Sequence, residues 1–229
     1  MLRQLVSKFY GHQWTMDPYI PVSLLALREI SVRLIVLVVS VIGPGWISAA
    51  AQTSNNQELA RLLSNEQSRK SAVDKILATP DRKLPVLLSW TRHTPPGVSK
   101  VDLYVGLADV FGRLKAREAI PFLIENIGLQ RWLASPNIWL KTAQVVEERL
   151  PAAAALIQIG PEASTAIIHK SWARVAPEDR LAAIFVVSRI GNVPEAGAFL
   201  SSVLGEANLE RHWAEEGLKA LDAGSLPTR

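Results

Sequence analysis

Four histidines, two pairs of adjacent glutamates and one stretch rich in tryptophan and basic residues are what this chain offers for chemistry. Zinc hydrolases place two histidines one helical turn apart, whereas His12, His93, His169 and His212 are scattered and form no such spacing. His169, beside Lys170, reads as a solvated or helix-end side chain. Glu147-Glu148 and Glu215-Glu216 are neighbours in sequence only. Adjacent residues of a helix point about 100° apart, so neither pair can share a proton as a catalytic dyad does. Cysteine is absent, which excludes disulfides, thiolate nucleophiles and zinc–thiolate sites. Neither a glycine-rich phosphate loop nor a Gly-x-Ser-x-Gly elbow occurs. No catalytic residue, metal ligand or cofactor is therefore expected, and the chain is read as not an enzyme.

The stretch from Gly128 to Leu150 is where binding chemistry concentrates. It holds Arg131, Trp132, Trp139 and Lys141 around Ser135-Pro136-Asn137. Tryptophan and arginine are favoured interface anchors, so these four residues are the expected partner-binding set. The competing reading is that both indoles fill a gap between helices, since tryptophan is mostly buried wherever it occurs. Ser135 can cap, and Pro136 can begin, a helix running to Arg149, before Pro151 kinks or restarts it.

The elements that would position this stretch follow a returning apolar pattern. It appears as Leu114-Lys115-Ala116-Arg117-Glu118-Ala119-Ile120-Pro121-Phe122-Leu123-Ile124, then as Ile159-Gly160-Pro161-Glu162-Ala163 with Ala166-Ile167-Ile168. It returns again as Ile190-Gly191-Asn192-Val193-Pro194-Glu195-Ala196 with Phe199-Leu200, and Leu84-Pro85-Val86-Leu87-Leu88 echoes it 36 residues before Ile120. Each copy ends one apolar helix, turns and starts another. A helix pair of that kind cannot bury its own apolar face, so copies must stack.

Along the chain, Gln52 to Asn56 is a polar linker and Asn56 caps a short helix through Leu63. A second helix runs through Ser71–Leu77 to a stop at Thr79-Pro80, and Pro85 belongs to the first turn of the next. Ser99 and Asp102 form a capping box before Leu103, Leu107, Val110, Phe111 and Leu114, which share one helical face. The partner helix spans about Arg117 to Ile127, closed by Gly128. A third pair covers Ala152–Ile159 and Glu162 to about Val175. The fourth opens at Pro177-Glu178-Asp179, turns at Gly191, and closes near Gly205; Asn208 caps a last helix with Trp213 and Leu221. No alternating strand pattern of useful length occurs, so the domain is expected to be all-α.

The segments Ile190–Ala196 and Lys115–Pro121 resemble HEAT repeats, especially the short bacterial form also seen in phycobilin lyases. The likeness covers residues 66–222 in two good and two degraded copies. Lys115 stands where the turn glycine belongs, Ala166 where a proline belongs, and copies are separated by 31 to 45 residues. The resemblance implies an α-solenoid of about four antiparallel helix pairs that binds other macromolecules. It brings no shared catalytic residues.

Ahead of this domain, Leu34 to Ala51 carries no charge, with Arg28 and Arg33 before it and Glu58 the next charged residue. The positive flank, apolar core, Gly43-Pro44-Gly45 break and Ala49-Ala50-Ala51 exit are those of a secretory signal, with cleavage before Gln52. An uncleaved anchor is the alternative, because 18 residues lie at the short end of what spans a bilayer. Met1 and Met16 both serve as possible starts. The division is thus residues 1–51 as signal or anchor, 52–65 as linker and short helix, 66–222 as repeat domain, and 223–229 as frayed tail. The expected location is periplasmic or secreted, with the membrane touched only through residues 34–51 if they remain.

Composition agrees with a globular chain, at 48% apolar and 20% charged residues. Removing residues 1–51 takes four basic and two acidic side chains, so the net charge falls from +4 to +2. Basic and acidic residues alternate along the helices rather than forming a stripe, which argues against nucleic acid. A protein or peptide partner is expected for a non-catalytic scaffold. The alternative is an enzyme or accessory of the HEAT-like lyase type, with a small ligand in the groove.

Overall fold

The computed structural model describes residues 44–131, 142–172, 175–191, 193–206 and 208–224. The chain divides into residues 1–52 and residues 53–229, and the helix packing lies within the second unit. Among the described residues every regular element is helical. They are α1 (Pro44–Ser64), α2 (Glu66–Leu77), α3 (Pro80–Trp90), α4 (Lys100–Leu114), a 3-10 turn at Arg117–Ala119, and α5 (Ile120–Glu125). After these come α6 (Ala143–Arg149), α7 (Pro151–Ile159), α8 (Pro161–Ile168), α9 (Pro177–Ile190), α10 (Ala196–Val203) and α11 (Asn208–Asp222). The all-α expectation holds.

Most ends follow local chemistry that the sequence carries. Ser99 Oγ accepts a hydrogen bond from the Asp102 amide at 3.4 Å, the capping contact expected for α4. Gly191 closes α9 in the left-handed conformation at φ 53°. Lys115, standing in for a turn glycine, takes the same conformation at φ 50° and ends α4 as a glycine would. Pro151, Pro161 and Pro177 each occupy the first position of a helix, where the missing donor costs nothing.

Several boundaries differ from expectation. Residues 52–56 are not a linker but lie inside α1, which runs unbroken from Pro44 across the Ala51–Gln52 junction to Ser64. Asn56 caps nothing; Asn65 does the capping, accepting from the amides of Gln67 and Ser68 ahead of α2. Polar side chains do not break a helix in the absence of Gly or Pro, and Pro44 is an acceptable start. Pro85 is interior to α3 because Pro80 already supplies the first turn. Two helices are shorter than expected: α5 stops at Glu125 and α8 at Ile168 rather than Val175, with the Trp172 indole N–H donating to the Ile167 carbonyl at 2.8 Å. Gly128 does not cap α5, a role taken by Asn126.

Packing proceeds from neighbour to neighbour. Helix α2 packs on α4, α4 on α7, α7 on α9 and α9 on α11. The shorter helices form a second series, with α5 against α8 and α8 against α10. The core runs through all of them and includes Leu63, Ile76, Leu87, Leu103, Leu107, Phe111, Leu123, Leu156, Ile167, Ile184, Phe185 and Leu200, all fully buried. Edge-to-face ring contacts join elements across it: Tyr104 with Phe122 at 4.8 Å and Phe185 with Trp213 at 4.8 Å. Two contacts leave no room for a side chain. A Cβ on Gly112 would stand 2.8 Å from the Ala155 Cα, and one on Gly217 would stand 2.8 Å from the Ser188 Cα. These glycines let α4 meet α7, and α9 meet α11, at backbone range.

Candidate functional site

Of the four residues expected to bind a partner, Arg131 lies among the described residues, and Trp132, Trp139 and Lys141 lie outside them. Arg131 is not a free anchor. Its guanidinium grips both oxygens of Asp109, on α4, at 2.7 and 2.9 Å. Its amide donates to the Arg149 carbonyl at 2.8 Å, and the Arg149 side chain returns to Gln130 Oε1 at 2.9 and 3.2 Å. Residues 130–131 are thereby joined to the end of α6. One guanidinium nitrogen, Nη2, makes both contacts, while the buried Nε has no partner among the described residues; partial burial shields the pair from salt.

A second arginine completes the cluster. Arg69, on α2, is 6% exposed, and its Nε donates to the Leu63 carbonyl at 3.0 Å. Burial pulls the Arg69 guanidinium below its ordinary value, with Asp109 acting in the opposite direction and Arg131 adding to the pull. Burial likewise pushes the Asp109 carboxyl above its ordinary value, against the attraction of Arg131 and Arg69. Sequence reasoning missed Asp109 and Arg69. The available signal was a lone acid, Asp109, set between Ala108 and Val110 on an apolar helix.

Three of the four paired glutamates have partners of their own. Glu147 faces Arg189 at 3.6 Å, whereas Glu148 accepts from Gln144 at 2.9 Å. Glu216 pairs with Lys219 at 3.2 Å. His93 and His169 are exposed, and His212 leans on the Trp213 ring at 4.8 Å. Among the described residues no group of three His, Asp or Glu is placed to hold a metal. Among the same residues no helix is long and apolar enough to cross a membrane.

A concave feature of the described surface lies elsewhere, between the turn after α8 and helices α9 and α10. Trp172, Arg180, Ile184, Phe199, Ser202 and Val203 line a pocket of about 220 Å³. Ile184 and Val203 are buried, Trp172 and Phe199 are half-buried, and Ser202 is exposed at the lip. Arg180 is already engaged, pairing with Glu206 and standing 3.7 Å from Glu210. The Ser202 hydroxyl donates to the Phe199 carbonyl at 2.7 Å. The apolar pattern places Phe199 inward and Trp172 within a helix, so it does not disclose this pocket; the lining comes from three elements separated by up to 31 residues. No family model, curated protein or solved structure matches the chain.

Proposed function

We propose that the chain is an exported, non-catalytic HEAT-like scaffold that holds a protein or peptide partner. The observation that carries this reading is the neighbour-to-neighbour packing. In this reading α2, α4, α7 and α9 are the first members of four pairs and α3, α5, α8 and α10 the second. Helix α2 packs on α3, α7 on α8 and α9 on α10, α4 meets α5 through the Tyr104 and Phe122 rings, and α11 closes the array. Interactions limited to adjacent units are the property that defines a solenoid, and they leave a long surface free for binding. Under this reading the stretch opened at Arg131 is an insert between the second and third pairs. Trp132, Trp139 and Lys141 are the partner-binding residues of this reading, beside Gln130 and Arg131, which bond to Arg149.

The leader, residues 1–51, gives the address: a periplasmic or secreted protein, or one anchored through residues 34–51. The non-catalytic reading is supported by the engaged carboxylates, each facing its own cation or amide rather than a common space. A small ligand held for a lyase-type reaction is the second reading, which the pocket beside Arg180 favours. The two separate in one experiment. The full chain, tagged at its C-terminus, is isolated from the envelope of the cells that make it. A polypeptide recovered at a fixed molar ratio supports the scaffold. A bound small molecule without a polypeptide supports the second reading, and recovery from the cytosol removes the export claim.

A further inference from the structure

We propose that the turn between α3 and α4, with Arg92, Lys100 and Val101 at its rim, rests on an anionic phospholipid surface when the chain is anchored through residues 34–51. The proposal rests on the anchored form of the address given above and adds a second, electrostatic contact to it.

Acids and bases are mixed along most of the domain, yet from Arg82 to Val101 there is no aspartate or glutamate, while Arg82, Lys83, Arg92 and Lys100 fall within that stretch. Arg92, His93 and Lys100 are exposed, and among the described residues neither Arg92 nor Lys100 forms an ion pair. Lys100 Nζ lies 5.3 Å over the Tyr104 ring, and the Tyr104 hydroxyl donates to the Thr91 carbonyl at 3.0 Å. One tyrosine thus holds Lys100 beside the residue that precedes Arg92. Two exposed acids belong to the elements that meet here, and each has a cation of its own. Asp102 attracts the buried Arg69, and Glu58 on α1 shares a helix face with Arg61 one turn on. Arg92 and Lys100 remain as uncompensated positive charge.

Between them in space stands an apolar contact. Val101 is 55% exposed, the more exposed of the two large hydrophobics that project from the described surface. Cations for the headgroups and an apolar side chain for the boundary beneath them are the composition of an interfacial contact.

The chain enters the domain at this same turn. Gln57 Nε2 on α1 donates to the Pro96 carbonyl at 3.3 Å, and a Cβ on Gly106 would stand 2.5 Å from the Leu63 carbonyl oxygen. Those two contacts lay α1 alongside α4 in the same direction, so following α1 backwards from Leu63 leads to the turn. From Gln57 to Ala51, the end of the uncharged Leu34–Ala51 segment, the tether measures about 9 Å as helix and about 20 Å fully extended. A bilayer holding residues 34–51 therefore lies within one or two screening lengths of Arg92 and Lys100, each about 8–10 Å. A nucleic acid or an acidic protein would suit the charge, but neither is delivered by the tether nor uses the exposed valine.

The chain has no cysteine, so one introduced by Val101→Cys carries a single polarity-sensitive nitrobenzoxadiazole dye, and Leu204→Cys, beyond α10, is the control. Each full chain is reconstituted into vesicles of phosphatidylcholine alone or with about one-third phosphatidylglycerol, and flotation reports the anchoring. In the anionic vesicles the dye at position 101 is expected to brighten about twofold and shift to the blue, and to revert in about 0.5 M salt. Position 204 is expected to stay unchanged in both. Arg92→Lys should keep the response, whereas Arg92→Glu and Lys100→Glu, two independent exposed sites, should each remove about half of it or more. A chain that floats without a response at position 101 would overturn the contact and leave the anchored address standing. An equal response in phosphatidylcholine, or at position 204, would overturn it too. A chain that does not float would remove the anchored address and this contact with it. A response without vesicles, on adding a single-stranded oligonucleotide or on concentrating the protein, would assign the turn to a nucleic acid or a second copy and overturn the lipid surface.

Discussion

Asp109 keeps 24% of its side chain exposed and sits between Arg131 and Arg69. Two cations around one acid invite the view that the ion pair simply lowers the acid's pKa. Burial is the larger influence, however, and it raises the carboxyl above the ordinary 3.8. A carboxyl raised in the folded state binds its proton more readily folded than unfolded. Its contribution to stability is therefore full below the unfolded value and is lost as pH rises through the folded one. Compared with Asp109→Asn, which has no carboxyl to protonate, the wild-type chain should gain stability as pH falls from about 7 toward about 4. Urea melts of both proteins across that range check this; a wild-type chain that loses stability relative to the variant on acidification would show the ion pair outweighing burial. Lys115 offers a second test at this scale. A left-handed non-glycine residue costs roughly 1–2 kcal/mol, part of which returns as the entropy that glycine loses on folding. Lys115→Gly should thus raise stability by about 0.5–1 kcal/mol, and a lowered melting temperature would contradict the strain. The departure at Lys115 was legible in the sequence because the pattern it resembles has glycine there. The role of Arg131 was not, because an arginine suited to an interface is equally suited to a half-buried acid, and only the fold brings Asp109 within reach, 22 residues back.

Among the helices, the decisive contrast lies between two glycines. Gly217 on α11 faces Ser188 and Leu200, and an added methyl would sit 2.7 Å from side-chain atoms of both. Gly197 on α10 has nothing within 4 Å of the same position. Overpacking costs roughly 1–3 kcal/mol, whereas alanine in an open helical position gains about 0.5–1 kcal/mol over glycine. Gly217→Ala should destabilise and Gly197→Ala should stabilise, as thermal melts of the pair would record; equal responses would mean that α9 and α11 do not meet at backbone range. Leu200 is fully buried, so Leu200→Ala should cost roughly 2–5 kcal/mol. Helix identity and inward faces were readable, since Leu103, Leu107, Val110 and Phe111 recur at helical spacing and are all buried. Helix ends were less so. The polar run Gln52–Asn56 looked like a linker, but nothing in it prevents a helix from passing through, and α8 stops just before the Trp172 indole takes the Ile167 carbonyl.

For the molecule as a whole, architecture speaks more plainly than occupation. Neighbouring helices meet in series along residues 66–222, and salt bridges repeat the theme by linking successive layers: Asp74 with Arg113 at 3.4 Å, Arg117 with Glu162 at 2.8 Å. These exposed pairs add little stability, about 0–1 kcal/mol each, so the stack depends on its apolar interior. If the insert binds, Trp139→Ala should leave the melt nearly unchanged while weakening the partner by about 2 kcal/mol. A large fall in melting temperature would instead assign that indole to packing. What the proposed scaffold would hold was not legible, because binding by a surface needs shape and no fixed set of reactive residues. The most direct measurement is the native mass of the protein released gently from the envelope, by light scattering after size separation. A species heavier than the 25.1 kDa chain, containing it and one other polypeptide in constant ratio, is expected. Only the free chain, or copies of it alone, would contradict the scaffold.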